Sequence, residues 1–192
     1  MDELLDRRPI LIALAGPNGA GKSTFYKAHL QASGLPFINA DELALELRLE
    51  AYQAADLAGD IRNERLGRRE SFIFETVFSD PVGDKLAFLE RAARSGYTVV
   101  LFFIGIDSPE TSVERVAMRA LKGGHDVPSE KLEERYARTM ENLRCSLAVL
   151  PNIQVYDNSD LKRPYRLVAT KKNGQALELR EPISEWLLAF LP

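Results

Sequence analysis

A single cysteine, Cys145, in a chain of 192 residues excludes an intramolecular disulfide framework and any zinc site built from several thiolates. Only two histidines are present, so a His-rich metal site is not expected either. Basic charge is not in excess. Lys and Arg number 25 against 28 Asp and Glu, the net charge is -3, and no single-signed stripe draws the chain onto nucleic acid. No apolar run reaches the roughly 18–20 residues of a membrane span. The opening residues, MDELLDRRPILIALAG, place acids where a signal peptide carries its basic region, so a cytoplasmic protein without a membrane partner is expected. Repeats and low-complexity segments are absent. Hydrophobic residues make up 45% and charged residues 28%, the balance of a globular chain able to bury one core, here expected as a single domain over 1–192.

Strand and helix patterns alternate along most of the chain. Ile10–Ala15 is an almost wholly apolar run between Pro9 and Gly16, the pattern of a strand covered on both faces of a parallel sheet. A helix is expected over 22–31, stopping near Gly34, then a short strand over 35–39. One long helical stretch should open at Asp41, with Leu43, Leu47 and Ala51 on one face. Further strands are expected over 71–75, 97–106 and 152–156. Val82, Leu86, Leu89 and Ala93 recur at helical spacing ahead of the stop signal Ser95-Gly96. Two helices joined by Gly123-Gly124 follow, the second striped by Leu132, Tyr136, Met140, Leu143 and Leu147. Runs over 165–170 and 176–179 flank the turn pair Asn173-Gly174, which predicts a β-hairpin. A last helix over 182–190 should dock Trp186 on the core. Repeated strand–helix units imply an α/β fold of the P-loop NTPase/kinase type: a parallel sheet flanked by helices, a helical cover over 109–148, and a C-terminal hairpin plus helix over 164–191.

The strongest chemical signal is Gly16-Pro17-Asn18-Gly19-Ala20-Gly21-Lys22-Ser23, which matches G-x-x-x-x-G-K-[ST] between a strand and a helix. Glycines let backbone N–H groups curl around phosphate oxygens, and the helix that follows turns its positive end to the anion. Lys22 is placed to span the β- and γ-phosphates and is expected to face solvent when no nucleotide is bound. Ser23 is placed to carry Mg²⁺ and Thr24 to reach the α-phosphate.

A kinase also needs a base beside its acceptor and positive charge near the transferred group. Asp41 follows the second strand, where the ligand crevice of an open α/β sheet lies; it suits the base, and it equally suits a helix N-cap. Glu75 and Thr76 end the third strand at the same edge. Arg115 and Arg119 share one helix face ahead of the glycine pair, placed either to reach a phosphoryl group as part of a mobile cover or to pair with Glu110 and Glu114. Arg62, Arg65, Arg68 and Arg69 form a dense cluster with Glu64 that reads chiefly as surface, with contact to an anionic ligand as the alternative. His125, in GGHDVP, reads as a turn residue, and Cys145 as a structural one. A nucleotide-dependent switch without kinase activity needs no base, so Asp41 and Arg119 discriminate it from a kinase.

Taken in order, GPNGAGKST, NADE, FIFETVFSD, GYTVVLFFIGIDSPETSVERVAMRALKGGHDVP, RYARTMENL and VYDNS resemble the zeta-toxin family of P-loop kinases over residues 10–159. The resemblance implies ATP or GTP as phosphate donor with Mg²⁺, and a sugar hydroxyl of a nucleotide sugar such as UDP-N-acetylglucosamine as acceptor. Another hydroxylated metabolite is the alternative acceptor. It also implies a small helical antitoxin as partner. By similarity, Lys22 and Ser23 carry phosphate and metal, Asp41 is the base, Glu75 and Thr76 hold the sugar, and Arg119 meets the γ-phosphate. Where that family places a second arginine before a proline, this chain has His125 ahead of Pro128. His125, Arg115 and Arg135 are therefore the candidates for the second positive charge.

Overall fold

The computed structural model describes residues 3–121 and 127–191 and builds one seven-stranded sheet in the order β2-β3-β1-β4-β5-β6-β7. Strands β1 (Ile10–Ala15), β2 (Phe37–Ile38), β3 (Phe72–Thr76), β4 (Thr98–Gly105) and β5 (Ile153–Asp157) are parallel. Strands β6 (Arg166–Lys171) and β7 (Glu178–Leu179) run antiparallel at one edge. Every residue of β1 is buried, as are all but the first of β4, because helices cover both faces.

Helix α1 (Lys22–Phe25) continues through a π-helical turn (Tyr26–Leu30) and a 3-10 turn (Gln31–Ser33) to Gly34. The others are α2 (Ala40–Leu47), α3 (Ala51–Gly67), α4 (Asp84–Arg94), α5 (Pro109–Ala120), α6 (Ser129–Val149) and α7 (Glu185–Leu188). From β1 the chain steps to one side for β2 and β3 and to the other for β4. The strand order therefore reverses beside β1, and the crevice beyond its carboxyl end is where such folds bind ligands.

Two expectations change. The single helix from Asp41 is two helices. Arg48 takes a left-handed conformation (φ 56°) that ends α2, and Glu50 with Gln53 forms a capping box that starts α3. Leu47, expected on a continuous apolar face, is 53% exposed. Val82 likewise precedes α4 and lies open to solvent. The C-terminal hairpin joins the main sheet, because β6 pairs along the whole of β5, and the sheet expected to be parallel is mixed.

The other expected elements are present within a residue or two, except the last helix, expected over 182–190, which is a single turn, Glu185–Leu188. The α6 stripe from Leu132 to Leu147 is buried, and Trp186 packs near Phe103 over Gly105, where a Cβ would collide with the indole. Cys145 is partly buried, with its Sγ 3.6 Å from a Glu141 carboxylate oxygen. The glycine pair Gly123-Gly124 and His125 lie outside the described residues.

The expected cover narrows. On α6, Tyr136 donates to the Ile106 carbonyl (2.9 Å), Thr139 to Val77 (2.8 Å), and Asn142 to Phe78 (2.9 Å) and Asp80 (3.0 Å). Those bonds and the buried stripe make α6 part of the core, so among the described residues of 109–148 those that reach the crevice belong to α5.

Candidate active site

The loop 16–23 joins β1 to α1, and two of its glycines are required by shape. Gly16 has φ 146°, and a Cβ there would run into the Ile104 carbonyl of β4. Gly21 has φ 90°, and its Cβ would stand 2.8 Å from Asn158 Nδ2. Ser112 on α5 donates to the Asn18 carbonyl (2.8 Å), so the loop is braced from a second side.

Lys22 does not face solvent as expected. It is 6% exposed, and its Nζ donates to the carbonyls of Gly16 (2.9 Å) and Pro17 (3.0 Å), with Glu75 Oε1 at 3.9 Å. The tight turn folds the loop over the side chain, a consequence of geometry that the motif does not spell out. Burial pushes the ammonium below its ordinary pKa of 10.5, opposed by Glu75 and Asp41 and assisted by Arg119. The sign of the pH effect follows. Between the lowered folded value and 10.5 the unfolded chain binds more protons, so this group makes stability rise with pH across that window. Lys22→Met should therefore lose that rise between the two values, as read by thermal melts of both proteins along a pH series.

Glu75 organises the rest. Its Oε2 accepts from Ser23 Oγ (3.0 Å) and from Asn39 Nδ2 (3.3 Å). Asn39 is also the N-cap of α2, its Oδ1 accepting from the Asp41 N–H (2.9 Å). The capping role open to Asp41 is thus taken by Asn39, and the Asp41 carboxylate is left exposed with no hydrogen bond or ion pair among the described residues. Thr76 Oγ1 accepts from the Phe78 N–H (3.0 Å), fixing a buried residue at φ 64°, in a turn clamped from α6.

Two cavities meet at Glu75. One, of about 230 Å³, is lined by Gly19, Gly21, Lys22, Ser23 and Thr24 on the loop side and by Arg115 and Arg119 on the other. The second, of about 220 Å³, is lined by Asn39, Asp41, Thr76 and Val77, with Arg62 and Lys85 at its far side. Glu75 lines both. Arg115 Nη2 donates to the Ser159 carbonyl (2.9 Å), whereas Arg119 is exposed; among the described residues Arg119 has no hydrogen bond or ion pair, and neither arginine pairs with Glu110 or Glu114. Arg135 lines neither cavity. His125 cannot be placed against the site, since it lies outside the described residues.

The family model described as an AAA domain matches residues 11–143, a span that contains the loop, Asp41, Glu75 and both arginines. The chain belongs to the AAA domain family. An uncharacterized protein of Haemophilus influenzae is 25% identical over 135 residues, 65% of this chain and 91% of that protein. Among solved structures, the AvrRxo1-ORF1:-ORF2 complex with ATP aligns with TM-score 0.71 and 17% identity over 93% of this chain and 63% of that chain. The chain thus spans less than two thirds of that neighbour. The PezAT chromosomal toxin–antitoxin system of Streptococcus pneumoniae aligns with TM-score 0.61 and 18% identity over 96% of this chain and 84% of that chain. A putative kinase from Chloroflexus aurantiacus aligns with TM-score 0.58 and 17% identity over 82% and 92%. The fold is that of the zeta-toxin-like P-loop kinases.

Sequence reasoning missed three residues in this AAA-domain site. Asn39 was hidden inside NADE, although its place at a strand end just before a helix fits an N-cap. Asn158 donates to the Ala20 carbonyl (2.8 Å), and Tyr165 donates to the Gly21 carbonyl (3.0 Å). These two come from the end of β5 and the entry to β6, so the hairpin edge braces the phosphate loop from the third side. Burial pushes the Tyr165 phenol above its ordinary pKa, which keeps it a donor. Its backbone sits at φ 56°, unusual for an aromatic residue and consistent with a position fixed by function. No local pattern announces a contact 144 residues away. Tyr165→Phe removes one partly buried hydrogen bond, worth about 1 kcal/mol. It should lower the melting midpoint by roughly 2–4 °C and weaken ATP binding severalfold, measured by differential scanning calorimetry and by titration with Mg-ATP.

Proposed function

We propose that the protein is a small-molecule kinase that transfers the γ-phosphate of ATP or GTP to an alcohol, a sugar hydroxyl of a nucleotide sugar such as UDP-N-acetylglucosamine. The observation that carries this reading is the pair of cavities sharing Glu75: a phosphate loop with two arginines on one side, an unpaired carboxylate on the other. A nucleotide switch needs the first compartment only.

In this mechanism the backbone N–H groups of Gly19 to Ser23 and the Lys22 ammonium hold the β- and γ-phosphates. Asp41 accepts the proton of the acceptor hydroxyl as its oxygen bonds to the γ-phosphorus, and the bond from that phosphorus to the bridging oxygen breaks to release the nucleoside diphosphate. Arg119, unencumbered on the donor side, meets the charge on the transferred group, while Arg115 holds the wall formed by Ser159. Thr76 and Glu75 shape the acceptor side.

The residues present fit Mg²⁺. The Ser23 hydroxyl and Glu75 carboxylate stand 3.0 Å apart at the donor cavity, an all-oxygen set of the kind this ion prefers. Among the described residues no cluster of three or more His, Cys, Asp or Glu suits a metal cage, and Mg²⁺ in such sites relies on substrate phosphates rather than on one. When bound it supplies positive charge to the phosphate oxygens.

A small helical antitoxin belongs to the same proposal, supported by two structural neighbours described as a toxin–antitoxin system and as a two-chain complex. A cytoplasmic setting does too; among the described residues no helix is long and apolar enough to cross a membrane.

The test is to incubate the purified protein with Mg-ATP and a panel of nucleotide sugars and other sugars, and to weigh the products. A mass gain of one phosphoryl group on an acceptor supports the reading. ATP hydrolysis with no acceptor phosphorylated would return the protein to the switch class.

A further inference from the structure

Four arginines cluster on α3 and just after it, and the structure separates them. Arg65 pairs with Glu70 (2.7 Å), Arg68 with Glu64 (2.6 Å), and Arg69 donates to the Ser95 carbonyl (2.8 Å). Arg62 has no hydrogen bond and no ion pair among the described residues. Its guanidinium lies instead over two aromatic rings, 5.1 Å from the Phe74 centroid and 5.9 Å from that of Phe88. A partly buried guanidinium carries five N–H donors and is normally met by acceptors. Stacking on ring faces fixes its plane and satisfies none of those donors.

Its position gives that unmet capacity a purpose. Arg62 lines the acceptor cavity that holds Asp41 and Thr76, and it also lines a larger cavity of about 510 Å³ between α3 and α4. Lys85, on α4, lines both as well. The two cations therefore line both spaces. The larger cavity also presents Asp56, Asp60 and Asp84, none within ion-pair distance of Arg62. Its volume falls in the range of small-molecule sites.

We propose that Arg62, with Lys85 beside it, receives a negatively charged group of the acceptor, a phosphate or a carboxylate. The hydroxyl presented to Asp41 and the anion held at Arg62 then belong to one molecule. Neutral sugars bind more weakly because they offer the guanidinium no charged partner. The inference rests on the kinase reading for the word acceptor, and on Arg62 alone for the anion. It deepens that reading by naming a specificity-determining residue: Arg62 selects the molecule, and Asp41 acts on it. The anion is bound identically before and after transfer, so Arg62 should govern KM and leave kcat nearly unchanged.

The experiment has two arms. In the first, protein saturated with Mg²⁺ and a non-hydrolysable ATP analogue is titrated calorimetrically with matched pairs: glucuronate against glucose, and N-acetylglucosamine 1-phosphate and UDP-N-acetylglucosamine against N-acetylglucosamine. At least one charged member should bind about 10-fold or more tighter than its neutral partner, and which one does so separates carboxylate from phosphate. Arg62→Met should erase that preference, a loss of roughly 10–100-fold for a charged hydrogen-bonded contact. Arg62→Lys should keep part of it, and both variants should retain the melting midpoint and the affinity for the ATP analogue. Equal binding within every pair, no binding of any charged member, or an undiminished preference in Arg62→Met overturns the proposal.

In the second arm the same pairs are offered with Mg-ATP. Transfer to the charged member with KM raised and kcat kept in Arg62→Met supports it; equal transfer to neutral partners overturns it. Failure of transfer to all of them, with the binding preference intact, sinks the kinase reading and leaves Arg62 as an anion site.

Discussion

Arg119→Ala should lower turnover by about 10³–10⁵-fold, the range that a guanidinium on the transferred phosphoryl supplies in P-loop enzymes, while ATP affinity changes by less than 10-fold. Both numbers follow from where Arg119 sits. It lines the donor cavity opposite Lys22 and Ser23. One turn earlier, Arg115 is committed to the Ser159 carbonyl and to packing against Gly19. Among the described residues no hydrogen bond or ion pair restrains Arg119, so its charge is available to the group that acquires charge late in the reaction. Single-turnover kinetics beside equilibrium nucleotide binding separate the two effects. A wild-type rate in Arg119→Ala would remove α5 from the chemistry. His125→Ala is the companion measurement. If the imidazole supplies a second charge, wild-type turnover falls as pH rises through its pKa, and the variant lacks that fall.

Asp41→Asn should cut transfer by about 10²–10⁴-fold, the usual contribution of a positioned base, with nucleotide binding and melting midpoint unchanged. The stability half of this expectation now has a firm cause. Asn39, not Asp41, caps α2. Among the described residues the Asp41 side chain makes no hydrogen bond or ion pair whose loss would loosen the helix, so an activity loss cannot be passed off as unfolding. Glu75 is the other carboxylate at hand, but its Oε2 already accepts from both Ser23 and Asn39, and its Oε1 stands 3.9 Å from the Lys22 ammonium. Unchanged turnover would move that role away from Asp41.

How much of this was legible in the sequence depends on how local each cause is. The loop 16–23 was readable because its glycines answer to backbone shape, and Gly16 and Gly21 do adopt the positive φ values that the motif exists to permit. The apolar strands and the α6 stripe were readable because burial imposes a period on the residues themselves. The turn pair Asn173-Gly174 announced the hairpin for the same kind of reason: both residues have positive φ. The break between α2 and α3 was legible in principle, in the capping box from Glu50 to Gln53, but the leucine spacing across it suggested continuity.

The sequence by itself determined that this chain folds as an α/β protein around a phosphate loop, and it named Lys22, Asp41, Glu75 and Arg119 as residues bound for the crevice. Tertiary structure alone decided what each is free to do there. It buried Lys22, spent Glu75 on Ser23 and Asn39, released Asp41 from capping, tied Arg115 to Ser159, and picked Arg62 from four arginines that look alike in the chain. The physical reason is that residue type and short-range periodicity set conformation and burial, while the availability of a charged group depends on which acceptors reach it. For Arg115 and Glu75 the partners, Ser159 and Ser23, lie 44 and 52 residues away and meet them only when the sheet assembles, whereas Lys22 and Asp41 are governed by neighbours in their own loops.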